Sequence, residues 1–153
     1  MYGEADLPGV LLGLARDDEF AAKSLLSVKG VADSILGFHA QQAVEKSLKA
    51  VLAYRAIRYP YSHDLDGFVE LCESNGLDVP ADLDGVDRLS EFGVRARYGA
   101  SGPRGLDREQ ALRWAVCAVK WAEDIVLLPE EDQANKREPT QSSDPREPGG
   151  AKK

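Results

Sequence analysis

Apolar residues recur every three to four positions in five separate stretches of this 153-residue chain, and no stretch reads convincingly as a strand. That period constrains the fold first: each stretch is an amphipathic helix whose apolar face has to be buried against another. The first predicted helix covers about 6–27, with Asp6 at the N-cap, Pro8 in the first turn and Val10, Leu11, Leu14, Ala21, Leu25 and Leu26 as apolar positions. Gly30 punctuates the chain. The second helix, about 31–57, carries Val44, Leu48, Val51 and Leu52 and ends ahead of Tyr59-Pro60, because the residue before a proline is pushed out of the helical region.

The third helix, about 64–74, presents Leu65, Phe68, Val69, Leu71 and Cys72 and stops at Asn75-Gly76. A fourth begins near Pro80-Ala81, shows Leu83, Val86, Leu89 and Phe92, and gives way to a glycine-rich connection at 98–105. The fifth is capped by Asp107 and runs through Ala111, Trp114, Ala115, Ala118, Trp121, Ile125 and Leu128 to Pro129. Beyond Pro129 the sequence EEDQANKREPTQSSDPREPGGAKK has too little apolar content to offset its ordering entropy. The expectation is an all-α, five-helix antiparallel (up-and-down) bundle over residues 1–129 and a disordered C-terminal tail over 130–153.

The chain has the length of one ordinary domain, and at 43% hydrophobic residues it can bury a single core. No apolar run approaches the ~20 residues of a membrane span, and the acidic N-terminus lacks a basic signal-type region, so a cytoplasmic protein without membrane association is expected. Cys72 and Cys117 lie far apart among apolar residues and read as buried thiols. No metal site and no cofactor are expected. A formal net charge of −7 argues against a general nucleic-acid coating protein, since affinity for a polyanion comes largely from Lys and Arg. The charge is unevenly placed: residues 61–87 hold eight carboxylates and no Lys or Arg, whereas Arg88, Arg95, Arg97, Arg104 and Arg108 follow against only Glu91 and Asp107. An anionic ligand would prefer the second region.

On the second helix His39, Gln42, Lys46 and Lys49 are separated by three, four and three residues and share a face, with Glu45 at its margin. Taken alone, such a stripe also reads as a solvated helix surface. Arg58 and His63, with four residues between them, stand in the connection that follows. A histidine near neutral pKa can move a ribose or leaving-group proton while an arginine offsets charge on a phosphorane-like transition state. The structural alternative is that His63 pins the third helix with Asp64 helping at its N-terminus.

Phe38-His39-Ala40-Gln41-Gln42-Ala43-Val44-Glu45-Lys46-Ser47-Leu48-Lys49-Ala50, followed by Tyr61-Ser62-His63-Asp64-Leu65, resembles the HEPN family, small helical proteins associated with nucleotide and RNA chemistry. The resemblance covers about 7–128 and includes Arg97-Tyr98, which matches a late Ala-Arg-Tyr word followed here by Gly99. It implies a polar cluster or ligand-facing groove, with Gln42, Glu45, Lys46, Lys49, Arg97 and Tyr98 as nucleotide- or anion-binding candidates. It also implies Arg58 and His63 as the catalytic pair of a metal-independent ribonuclease, assembled across a homodimer. A toxin held by a nucleotidyltransferase-family antitoxin is the implied setting, with Tyr61 the acceptor closest to His63 for modification. In nuclease members the Arg-His motif usually sits later in the bundle. The competing reading is a non-catalytic subunit that binds a nucleotide or docks a nucleotidyltransferase.

Two further features have bland readings. Gly99, Gly102 and Gly105 lead into the last helix and could admit an anion to backbone N–H groups, but no Gly-Lys-Ser/Thr follows and a helix connection explains them equally. Trp114 and Trp121, one heptad apart, read as core or dimer interface rather than a stacking platform.

Overall fold

A computed structural model describes residues 6–93 and 105–128. Its order is α1 (Leu7–Leu26), α2 (Asp33–Tyr54), α3 (Leu65–Ser74), two 3-10 segments (Ala81–Leu83 and Val86–Phe92) and α4 (Arg108–Val126). The described residues are helical with no strand, as the periodicity predicts. Val94, Arg95, Arg97, Tyr98, Gly99, Gly102, Arg104 and the tail fall outside the described residues.

The fourth helical stretch takes 3-10 rather than α form. Within the second segment the buried Val86, Leu89 and Phe92 fall every third position, which keeps them on one face at 3.0 residues per turn and spirals them off it at 3.6. Gly85, at φ 82°, divides the two segments and lies under Trp114, where an added Cβ would stand 3.5 Å from the indole.

Helix α2 stops at Tyr54, earlier than the proline alone requires. Ala56 adopts a left-handed φ of 56°, Ile57 N–H donates to Leu52 O at 2.9 Å and Ala56 N–H to Ala53 O at 3.0 Å. Together these make a Schellman stop, with Ile57 folded back onto the core. Helix α3 ends the same way at Asn75-Gly76, with Leu77 N–H on Cys72 O at 3.0 Å. Its N-cap, Asp64, makes no side-chain cap bond, and neither does Asp6 of α1; Asp107 of α4 does, accepting from Gln110 N–H at 3.0 Å.

Helix α2 is the centre of the bundle. Leu36, Ala40, Ala43, Val44, Leu48, Val51 and Leu52 are all fully buried, and each large aliphatic among them contributes roughly 1.5–3 kcal/mol by burial. Facing it, α4 buries a run of small residues, Ala111, Ala115, Ala118 and Ala122, that lets the backbones approach. Arg108 at the start of α4 donates to Asp33 at 2.6 Å and to Val31 O, so α2 and α4 begin at one end of the bundle. The short link at 27–32 turns α1 antiparallel to α2, and Arg16 of α1 reaches Glu123 of α4 at 2.7 Å. Gly37 packs under Phe92, where a Cβ would lie 2.5 Å from the ring. Among the described residues no helix is long and apolar enough to cross a membrane.

Candidate functional site

The polar stripe of α2 is drawn into the structure by two carboxylates. Glu45, on α2 itself, has a side chain only 4% exposed and gathers three donors. His63 Nδ1 approaches Oε1 at 2.8 Å, Gln41 Nε2 donates to the same oxygen at 3.0 Å, and Lys49 Nζ donates to Oε2 at 3.1 Å. Burial of a lone carboxylate is costly, so this set of donors is what permits Glu45 to sit there ionised. Lys49 is held in turn over the rings of Tyr59 and Phe68, at 5.9 and 5.3 Å from their centroids.

The second carboxylate, Asp18, comes from α1 and has a side chain 12% exposed. His39 Nδ1 meets its Oδ1 at 2.9 Å and Lys46 Nζ its Oδ2 at 2.6 Å. Asp18 ties α1 to α2 through two of the stripe residues. Gln42 joins the other group, donating to Gln41 Oε1 at 2.7 Å.

An ionised carboxylate only accepts, so each neutral imidazole carries its proton on Nδ1 and its lone pair on Nε2. Among the described residues neither Nε2 has a hydrogen-bond partner, and neither is buried. Both rings are partly open to solvent, with side chains 31% exposed for His39 and 39% for His63. A histidine so arranged can accept a proton at Nε2 while the carboxylate steadies the imidazolium that forms.

Of the predicted site residues, the structure gathers Gln42, Glu45, Lys49 and His63 into one network and puts Lys46 in the adjoining one. His63 does not cap α3; its Nδ1 turns back to α2 instead. Arg58 is exposed and forms no hydrogen bond or ion pair among the described residues, so nothing links it to His63 beyond their shared connection. Tyr61 is almost wholly exposed, its ring 6.1 Å from that of His63. Arg97 and Tyr98 lie outside the described residues.

Two members of the networks escape a reading of spacing. Asp18 is the acid in the buried register of α1, in step with Leu12, Ala15 and Ala22, and that misplaced charge is the signal that could have found it. Gln41 is fully buried on α2, one position from the visible stripe and four before Glu45.

The thiols take no part. Burial, and next the Glu73 charge, push Cys72 up to about 12, and burial followed by Asp82 raises Cys117. Trp114 is core, and its Nε1 is buried without a partner; Trp121 donates to Asp78 O at 3.0 Å. Among the described residues no group of three or more His, Cys, Asp or Glu side chains is placed to hold a metal ion.

A family model described as HEPN domain matches residues 10–127. No curated protein and no solved structure matches the chain.

Proposed function

The chain belongs to the HEPN domain family, and from that premise we propose that it is a metal-independent endoribonuclease in which His63 moves the proton. The observation that carries this reading is the 2.8 Å bond between His63 Nδ1 and the buried Glu45 carboxylate. It fixes the tautomer that leaves a lone pair on the open Nε2, the atom that would meet a ribose 2′-hydroxyl or a leaving 5′-oxygen. Glu45 is then a positioning residue, and Lys49 and Gln41 hold it. Arg58, exposed on the same connection, offers an unspent guanidinium to the charge that develops on phosphorus.

Two copies whose Arg58 and His63 pairs face each other across a homodimer would make one composite site, and a nucleotidyltransferase-type antitoxin is the partner this reading implies. The exposure of Tyr61 beside His63 suits it as the residue such a partner would modify. Gln42, Lys46 and Lys49 would border bound RNA or nucleotide.

One observation favours a second reading. Lys46 and Lys49 are already neutralised by Asp18 and Glu45, which leaves this face little net positive charge for a phosphate backbone. A helical subunit that docks a nucleotidyltransferase or holds a nucleotide without cleaving needs none.

The test is cleavage of a mixed RNA pool in EDTA by the full chain beside His63→Ala, with folding followed by circular dichroism. Activity lost in a folded variant supports the ribonuclease. Equal cleavage by both proteins removes His63 from the chemistry, and no cleavage by wild type favours the docking subunit.

A further inference from the structure

The two histidines of the chain stand in two copies of one arrangement. In each, Nδ1 lies on one oxygen of a largely buried carboxylate, a lysine of α2 occupies the other oxygen, and Nε2 is left open. His63, Glu45 and Lys49 form one; His39, Asp18 and Lys46 form the other. We propose that His39 is the second acid–base residue of the RNA-cleaving site, with Asp18 as its positioning residue. This rests on the ribonuclease reading above.

The two arrangements occupy adjoining arcs of the α2 surface. At about 100° per residue, Gln42 lies on α2 between the His39/Lys46 edge and the Glu45/Lys49 edge. Its amide is tied to the Glu45 group through Gln41. The charged groups bonded to His39 are Asp18 from α1 and, through that carboxylate, Lys46 from α2. Glu45, Lys49 and His63 form the neighbouring group, with Arg58 on the connection beyond.

The chemistry requires two proton-handling groups. When the ribose 2′-oxygen attacks phosphorus, its proton passes to a neutral imidazole; as the bond from phosphorus to the 5′-oxygen breaks, that oxygen takes a proton from an imidazolium. A 2′,3′-cyclic phosphate and a 5′-hydroxyl result, with no water consumed, and the two histidines exchange protonation states until solvent resets them. Within one chain no other described group fits as well. Glu45 and Asp18 have both oxygens occupied, Cys72 is buried and protonated, and a tyrosine hydroxyl titrates far above neutrality. If the second group merely stapled α1 to α2, the Asp18–Lys46 pair would do so and a titrating ring with an open nitrogen would be superfluous.

The experiment measures cleavage of a short RNA by the full chain in EDTA between pH 5 and 9, for wild type, His39→Asn and His63→Asn. The asparagine amide nitrogen can take the place of Nδ1 and keep the bond to Asp18 while losing the titrating group, so a purely structural role is rescued by it. The proposal expects a bell-shaped wild-type profile and, in folded His39→Asn, a loss of about 100-fold with one limb of the bell gone. Near wild-type rate and both limbs in His39→Asn, with cleavage lost in His63→Asn, overturn the proposal and leave the ribonuclease standing. A wild-type profile with a single limb overturns it whether or not the variants fold. No wild-type cleavage at any pH overturns both.

Discussion

The carboxylates of Asp18 and Glu45 share out their oxygens in the same way, one to an imidazole Nδ1 and the other to a lysine ammonium. Each of these acids belongs to a different helix, yet both sit against the polar stripe of α2 and hold its lysines inward. A carboxylate removed from water needs a compensating charge and saturated oxygens, and Lys46 and Lys49 supply the charge. The lysines therefore serve the site by letting acids be buried beside histidines. Phosphate contact, the role spacing suggests for them, would have to compete with a 2.6 Å and a 3.1 Å ion pair.

Replacing Glu45 by Gln keeps the shape of the side chain and removes the charge. Lys49, only 15% exposed, is then left without its counter-charge, and the amide can accept on one atom alone. Breaking a buried pair from one side costs about 3 kcal/mol, and denaturant unfolding of Glu45→Gln is expected to show a loss of that order. The same variant releases His63 from a single tautomer. Nitrogen-15 spectra are expected to show Nδ1 protonated in neutral wild-type His63 and both tautomers populated in the variant. An unchanged spectrum would mean that Glu45 does not orient the ring.

Much of this was legible because the bundle obeys a simple period. The apolar runs of α2, α3 and α4, the stop at Asn75-Gly76 and the Asp107 cap follow from residue type and spacing alone, whereas α1 buries Leu12, Ala15 and Ala22 and leaves the expected Leu14 exposed. The 3-10 stretch was legible too, had the exact threefold recurrence of Val86, Leu89 and Phe92 been separated from a period of 3.6. The site was half visible. The stripe on α2 and His63 stand out as polar words, whereas Asp18 is brought to them by the packing of α1, a long-range event that no local pattern encodes. Gln41 was hidden for the opposite reason: it lies inside the recognisable segment but on the buried side of the helix, where an amide is unexpected until its partner Glu45 is seen to be buried as well.

Cys72 ties stability to alkaline pH. Its thiol is raised by burial, then by Glu73, from an ordinary 9.0 to about 12 in the folded chain. Below the ordinary value both folded and unfolded chains keep the proton, and the thiol adds no pH dependence. Above it the unfolded chain ionises first, so folded stability is lost as pH rises between those two values, with a limiting slope of about 1.4 kcal/mol per pH unit. Chemical denaturation at pH 8, 9 and 10 is expected to show a steeper decline for wild type than for Cys72→Ala. The comparison is of slopes, because the alanine cavity lowers stability at every pH. Parallel slopes would show that the thiol ionises as readily folded as unfolded.

Ala56 closes α2 with a left-handed φ of 56° that glycine adopts without a Cβ penalty. The conformation is imposed by the Schellman bonds of Ala56 and Ile57, which turn the chain toward Arg58 and His63. Ala56 is exposed, so its methyl group contributes little packing to weigh against relief of the backbone. Ala56→Gly is therefore expected to stabilise the fold by roughly 0.5–1 kcal/mol, raising Tm by about 2 °C. Glycine also widens the unfolded ensemble, which is why the gain stays at the lower end of a left-handed penalty. A lowered Tm would show that the alanine's limit on unfolded conformations outweighs its strain in the turn. Glycine adopts the same left-handed φ, so the His63 connection leaves α2 in the same direction and the NMR tautomer of His63 in this variant is expected to match wild type, separating stability of the stop from geometry of the site.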